Sequence, residues 1–153
     1  MTGVQTCALP ISVQEFLHAR LQETVSEARA RSGLEIDGAL TAGGASDELL
    51  DLISRVGPYG QGNPAPRFAF PATHVRYAKI VGDAHVRCVL ESADGGRLEG
   101  IAFRAAREPL GELLMQTGGL PIHVAGNLKR SSWGGREKIE LMIEDAADPR
   151  RQG

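Results

Sequence analysis

The chain has 153 residues, 42% of them hydrophobic and 24% charged, the balance of a folded globular protein and not of a disordered tail. A net charge of −2 at pH 7 gives no global pull towards nucleic acid, so any such binding must come from a local basic face. Aromatic residues make up only 5%, which excludes a platform of many stacked rings, and no run approaches the roughly 18 apolar residues of a membrane span.

The first eleven residues, MTGVQTCALPI, carry no basic leader and fit no amphipathic period. They resemble a translated sequencing adapter, so they are expected to stand outside the fold of an N-terminally truncated piece. Pattern begins at Ser12, which with Glu15 forms a capping box. Val13, Phe16, Leu17, Leu21, Val25 and Ala28 follow at helical spacing, and Gly33 supplies a stop, which predicts a helix over 13–31. The alternation in LEIDGAL (Leu34, Ile36, then Leu40) predicts a short strand, and TAGGAS a flexible turn. Ser46 caps a second helix with a broad apolar face of Leu49, Leu50, Leu52, Ile53 and Val56, ended by Gly57-Pro58. Helix, strand and helix cannot close a core alone, so residues 12–56 read as the surviving end of an α/β domain.

Three glycines and three prolines in GPYGQGNPAPRF, residues 57–68, make a rigid, turn-rich connector. Its backbone N–H groups could face a phosphate, but the Lys-Ser/Thr of a phosphate-binding loop is missing, and an interdomain hinge is the plainer expectation. Five runs rich in Val, Ile and Leu follow: THVRYAKIVGD, HVRCVLES, RLEGIAF, PIHVAGNLKR and REKIELMIED. A helix-like stretch, AAREPLGELLMQ, sits between the third and fourth. That order predicts an OB-fold, a five-stranded Greek-key barrel that usually binds single strands or oligosaccharides, over residues 69–148. The expected class is therefore α+β, a barrel preceded by a partial helix–strand–helix, with residues 149–153 a frayed tail. Alternation sends Val86, Cys88 and Leu90 inward, and Ile139, Leu141 and Ile143 likewise, with Lys138, Glu140, Met142 and Glu144 pointing out. Asp94-Gly95-Gly96 predicts a hairpin turn, and Gly100 and Gly126 mark places where a strand bends for closure.

Ligands of OB-folds usually lie on the face of the second and third strands and in the loops after strands one and four. The outward residues there include Arg76, His85, Arg87 and Arg104. In the loop after strand four, Lys129, Arg130, Arg136 and Lys138 surround the only tryptophan, Trp133. A ring among cations suits single-strand binding, because bases stack on rings while phosphates are neutralised. The alternative is a solvated hairpin whose tryptophan packs on a neighbour. Nothing supplies catalysis: His18, His74, His85 and His123 are scattered, and neither H-E-x-x-H nor C-x-x-C occurs. Glu144, Asp145 and Asp148 read as solvated acids, and Cys88 as a small buried hydrophobe.

In order along the chain, Pro58 to Pro64 in the connector, Val81 to His85, Ala102-Phe103, and Trp133 to Arg136 resemble the C-terminal part of the RecJ family of bacterial single-strand-specific exonucleases. The resemblance covers about residues 12–148 and implies that 12–56 end a DHH-associated domain and that 69–148 form its OB domain. It also implies a 5′→3′ exonuclease on single-stranded DNA, dependent on manganese or magnesium, acting in recombination and repair in the cytoplasm. The family's catalytic aspartates and histidines, the DHH motif and the Gly-Gly-His motif have no counterpart here, so no catalytic or metal residue carries over and the chain is expected to be inactive alone. Its partners would be single-stranded DNA, the enzyme's catalytic core and a single-strand-binding protein, with no membrane; Tyr59 and Asn63 would line the strand's path or fix a domain angle. A free-standing OB module for RNA or DNA, and a protein-interaction module for an acidic tail, remain the competing expectations.

Overall fold

The computed structural model describes residues 33–133 and 136–150, without the side chains of Trp133 and Arg136. The first eleven residues, the helix expected over 13–31 and residues 151–153 lie outside the described residues. The chain divides into two compact units, 1–35 and 36–153, and the second holds the architecture that follows.

Strand β1 (Gly38–Ala39) is only two residues long and lies parallel to the start of β2, Gly38 facing Phe68. The strand expected in LEIDGAL is thus confined to its last part, and Ile36 stays 42% exposed. TAGGAS is not a free turn. Thr41 caps a short 3-10 turn over Ala42–Gly44, and the buried Ala42 donates its N–H to Ser92 Oγ at 2.7 Å. Helix α1 (Asp47–Val56) starts as its sequence dictates, with Ser46 Oγ accepting the Leu49 N–H at 3.2 Å and two acids in the first turn. Its Leu50 is buried in the barrel's own core, with Leu49 and Ile53 packed beside it. Residues 36–56, expected to close on a preceding domain, therefore share one compact unit with the barrel.

The barrel is built from β2 (Arg67–Val81), β3 (His85–Glu91), β4 (Arg97–Ala102), β5 (Ile122–Trp133) and β6 (Arg136–Ala147). Strands run in the order β1-β2-β3-β4-β6-β5, and the β2–β5 pairing closes the ring. Helix α2 (Pro109–Met115), with proline in its first turn, follows β4 in the chain and packs against β2, β3 and β6, with its Leu114 buried in the core. One long strand serves two neighbours: Arg67 to Thr73 pair with β5, and His74 to Val81 pair with β3. Pro71 sits at the register shift between Phe70 and Thr73, where the ladder tolerates a missing N–H. Ala72 there adopts a left-handed φ of 49° and donates its N–H to His123 Nδ1. The strand begins at Arg67, inside the expected connector, because Pro71 reads as a break in sequence while the structure uses it as a bend.

Val86, Cys88 and Leu90 are fully buried, as are Phe70, Ile122, Leu141 and Leu114 or nearly so, so the alternation set the inner face correctly. Thr73, the polar group among them, is satisfied by donating Oγ1–H to Phe70 O at 3.0 Å. Gly126 stands at the bulge in β5, where a Cβ would come within 2.0 Å of Met142 O, so only glycine lets the two strands cross this closely.

Candidate nucleic-acid interface

The expected site residues outside the connector are divided between β2 and β3, which carry Arg76, His85 and Arg87, the loop after β4, which carries Arg104, and the β5–β6 hairpin, which carries the other five. Arg76 donates from Nε to Glu91 Oε1 at 2.9 Å, and Arg97 donates from Nε to Glu91 Oε2 at 2.9 Å. These hydrogen bonds, Arg76's first, hold the Glu91 carboxyl below the usual carboxylate range and push Arg76 up. Arg87 reaches across β4 to Glu140 on β6 at 2.8 Å, and that bond raises the Arg87 pKa against the opposing effect of burial. Glu140, expected to point outward, is only 8% exposed because Arg87 lies over it. Lys138 pairs with Glu99 at 2.7 Å.

Arg130 turns away from the hairpin towards α1. It donates to Asp51 at 2.7 Å and to Asp47 at 3.3 Å, and these bonds raise its pKa, Asp51's first. Lys129 on the neighbouring position is exposed, with Glu140 opposite it on β6. The backbones of Trp133 and Arg136 face each other at the tip of the β5–β6 hairpin. β6 runs parallel to β4 with Glu99 opposite Glu140, so the tip lies at the end where β4 begins.

His85 and Arg104 come together at the other end of the same face. His85 Nδ1 accepts the Arg104 N–H at 3.0 Å, and the His85 ring meets Phe103 edge-on, with centroids 4.9 Å apart. Phe103, which sequence reasoning did not single out as a site residue, is 53% exposed. An aromatic one residue beyond the last β4 pairing was the available signal. Lys79 and Arg107 near this end are exposed.

The two connector residues are local fasteners. Tyr59 donates its hydroxyl to Ile53 O at 2.6 Å, and Asn63 donates its amide to Pro58 O at 2.9 Å while its backbone bridges Gly60. With Pro66, Phe68 and Leu128, Tyr59 lines an apolar groove of about 370 Å³ between α1 and β5. Among the described residues no group of three or more His, Cys, Asp or Glu could hold a metal ion. Among them, too, no helix is long and apolar enough to cross a membrane.

Barrel and topology define an OB-fold domain. Residues 36–145 match the RecJ OB domain family, and the chain belongs to that family. The single-stranded-DNA-specific exonuclease RecJ of Salmonella typhimurium is 28% identical over 152 residues, spanning 94% of this chain and 26% of that protein. Crystal structures of Thermus thermophilus RecJ with magnesium and with manganese share the fold, with TM-scores of 0.57 and 0.56 at 21% identity. They align over 88% of this chain and 21% and 20% of their own chains, so this chain spans about a quarter or less of its relatives' length.

Proposed function

We propose that this chain is the single-strand-gripping OB portion of a RecJ-like 5′→3′ exonuclease that works on single-stranded DNA in recombination and repair in the cytoplasm. The observation that carries it is the family match over residues 36–145, on a barrel whose outer face bears arginines, lysines and an exposed ring. Hydrolysis, with its manganese or magnesium, belongs to a catalytic core supplied by other residues of the enzyme, and the stretch before Ile36 would be the end of the DHH-associated domain leading to it. The barrel's part is to hold the strand so that it threads to that core, which makes selectivity for single strands and processivity two results of one contact.

Fluorescence anisotropy of a labelled oligonucleotide with the 153-residue chain tests this. Binding is expected to weaken linearly in log salt, by about 0.7 per neutralised phosphate, and Trp133→Ala to lose about 1–3 kcal/mol. Absence of binding at low salt overturns the proposal for this chain.

A specific observation favours one other reading, a protein partner in the apolar groove beside Lys129. An acidic tail of a single-strand-binding protein has the right sign for Lys129. Asp47 and Asp51 stand at the same rim, already neutralising Arg130, and repel such a tail in the groove. Displacement of labelled DNA by an acidic tail peptide would favour the protein partner.

A further inference from the structure

Charge on the outer face of β3 and β4 is matched almost everywhere except at one end. Arg76 and Arg97 share Glu91, Arg87 has Glu140, and Lys138 has Glu99. Among the described residues with described side chains, five basic ones have no ion pair: Arg55, Lys79, Arg104, Arg107 and Lys129. Three of these, Lys79, Arg104 and Arg107, belong to the end where the β2–β3 turn meets the loop after β4. Val81 pairs with His85 at that turn, two residues beyond Lys79, and Ala106 donates its N–H to Ala84 O at 3.1 Å. The acids nearby in sequence are Asp83 in the turn and Glu108 at the cap of α2, so the cations outnumber them.

Next to Arg104 and against His85 stands Phe103, an apolar ring more than half exposed. The segment bearing it is fixed before any ligand arrives. Arg104 is held at a left-handed φ of 55° by its N–H bond to His85 Nδ1, and Glu108 N–H closes on Ala105 O at 3.0 Å. Ala105 O also lies where the Cβ of any residue but glycine at 111 would be, 1.8 Å away, which locks the loop onto α2. A backbone pre-positioned in this way spares the loop an ordering cost on binding.

We propose that Phe103 is a stacking platform for one base of a single strand, with Lys79, Arg104 and Arg107 contacting the flanking phosphates. This rests on the single-strand-binding function proposed above. It locates a contact at the opposite end of the face from the hairpin tip, about 26 Å away by strand rise. A strand gripped at both ends would lie across β3 and β4, over arginines whose charge is already matched.

The test is anisotropy titration of labelled oligo-dT of about 16 nucleotides with the whole chain, with circular dichroism of each variant. Phe103→Ala and Phe103→Leu are both expected to weaken binding about 5- to 150-fold, while Phe103→Tyr retains it. Leucine keeps the apolar bulk without the ring, so it separates stacking from packing and stands in if the alanine variant does not fold. Arg104→Asn, which tolerates the left-handed backbone, and Arg107→Ala should each lower the salt slope by about 0.7. Ultraviolet cross-linking should place a base adduct on the peptide containing Phe103. Wild-type binding with unchanged affinity in both Phe103 variants overturns this platform and leaves the single-strand function standing. No binding by the wild-type chain overturns both.

Discussion

Glu91 receives two arginines at once, and its behaviour follows from that. Its carboxyl, held down by Arg76 and then Arg97, has a folded pKa below its unfolded value of about 4.3. A depressed carboxylate contributes stability that is fully present above the unfolded pKa and is lost as pH falls through the folded one. Glu91→Gln should therefore lower the melting temperature at neutral pH, with the gap to wild type narrowing below about pH 4. Thermal melts at half-unit steps from pH 3 to 7 check this, and a gap that widens on acidification refutes it. Both arginines are well exposed, at 61% and 72%, so the effect is small and screened by salt. The same pairings explain what sequence could say of the site. Alternation showed that Arg76, Arg87 and Lys138 face outward, but not that each is neutralised. Arg87 lies 53 residues from Glu140 and Arg130 79 from Asp51, and only the closed barrel makes them neighbours. Phe103 escaped notice for the converse reason: nothing local distinguishes an aromatic that ends a strand exposed from one that ends it buried.

At the scale of elements, a strand of period two is legible because every second residue must meet the core. β3 is the clear case, with its three inward residues fully buried and none of its outward ones. β2 was only half legible. Its first seven residues serve β5 and its last eight serve β3, and Pro71 at the change of partner mimics a strand end. Gly126 was legible as a bend, although its reason is the approach of Met142 O from β6. Gly126→Ala must push β5 and β6 apart at the bulge and is expected to cost about 1–3 kcal/mol. Gly60→Ala in the connector, where a Cβ meets nothing within 4 Å, serves as the control and should stay within about 0.5 kcal/mol. Urea unfolding of both variants decides the point, and equal losses would mean that the bulge is not what constrains Gly126.

On the scale of the whole molecule, the open issue is whether α1 is a guest on the barrel or part of it. From sequence, a helix with Leu49, Leu50 and Ile53 on one face needs a partner, and the pattern does not say which. The structure supplies the barrel: β1 extends its sheet, Ala42 is tied to Ser92 beside the β3–β4 turn, and Leu50 joins the core cluster. If the core is one cooperative unit, damage at α1 must be felt at its far side. Cys88 reports on that side, because it is fully buried on β3 with its thiol pushed up to about 12 by burial. A thiol so shielded alkylates only when the barrel opens. Leu50→Ala, at the margin of the core, is expected to cost about 2–3 kcal/mol. In native buffer at pH 8, Cys88 alkylation followed by peptide mass spectrometry should then speed up about 30- to 150-fold. An unchanged labelling rate, with helical signal lost, would show α1 unfolding alone and would return residues 36–56 to the domain that precedes them.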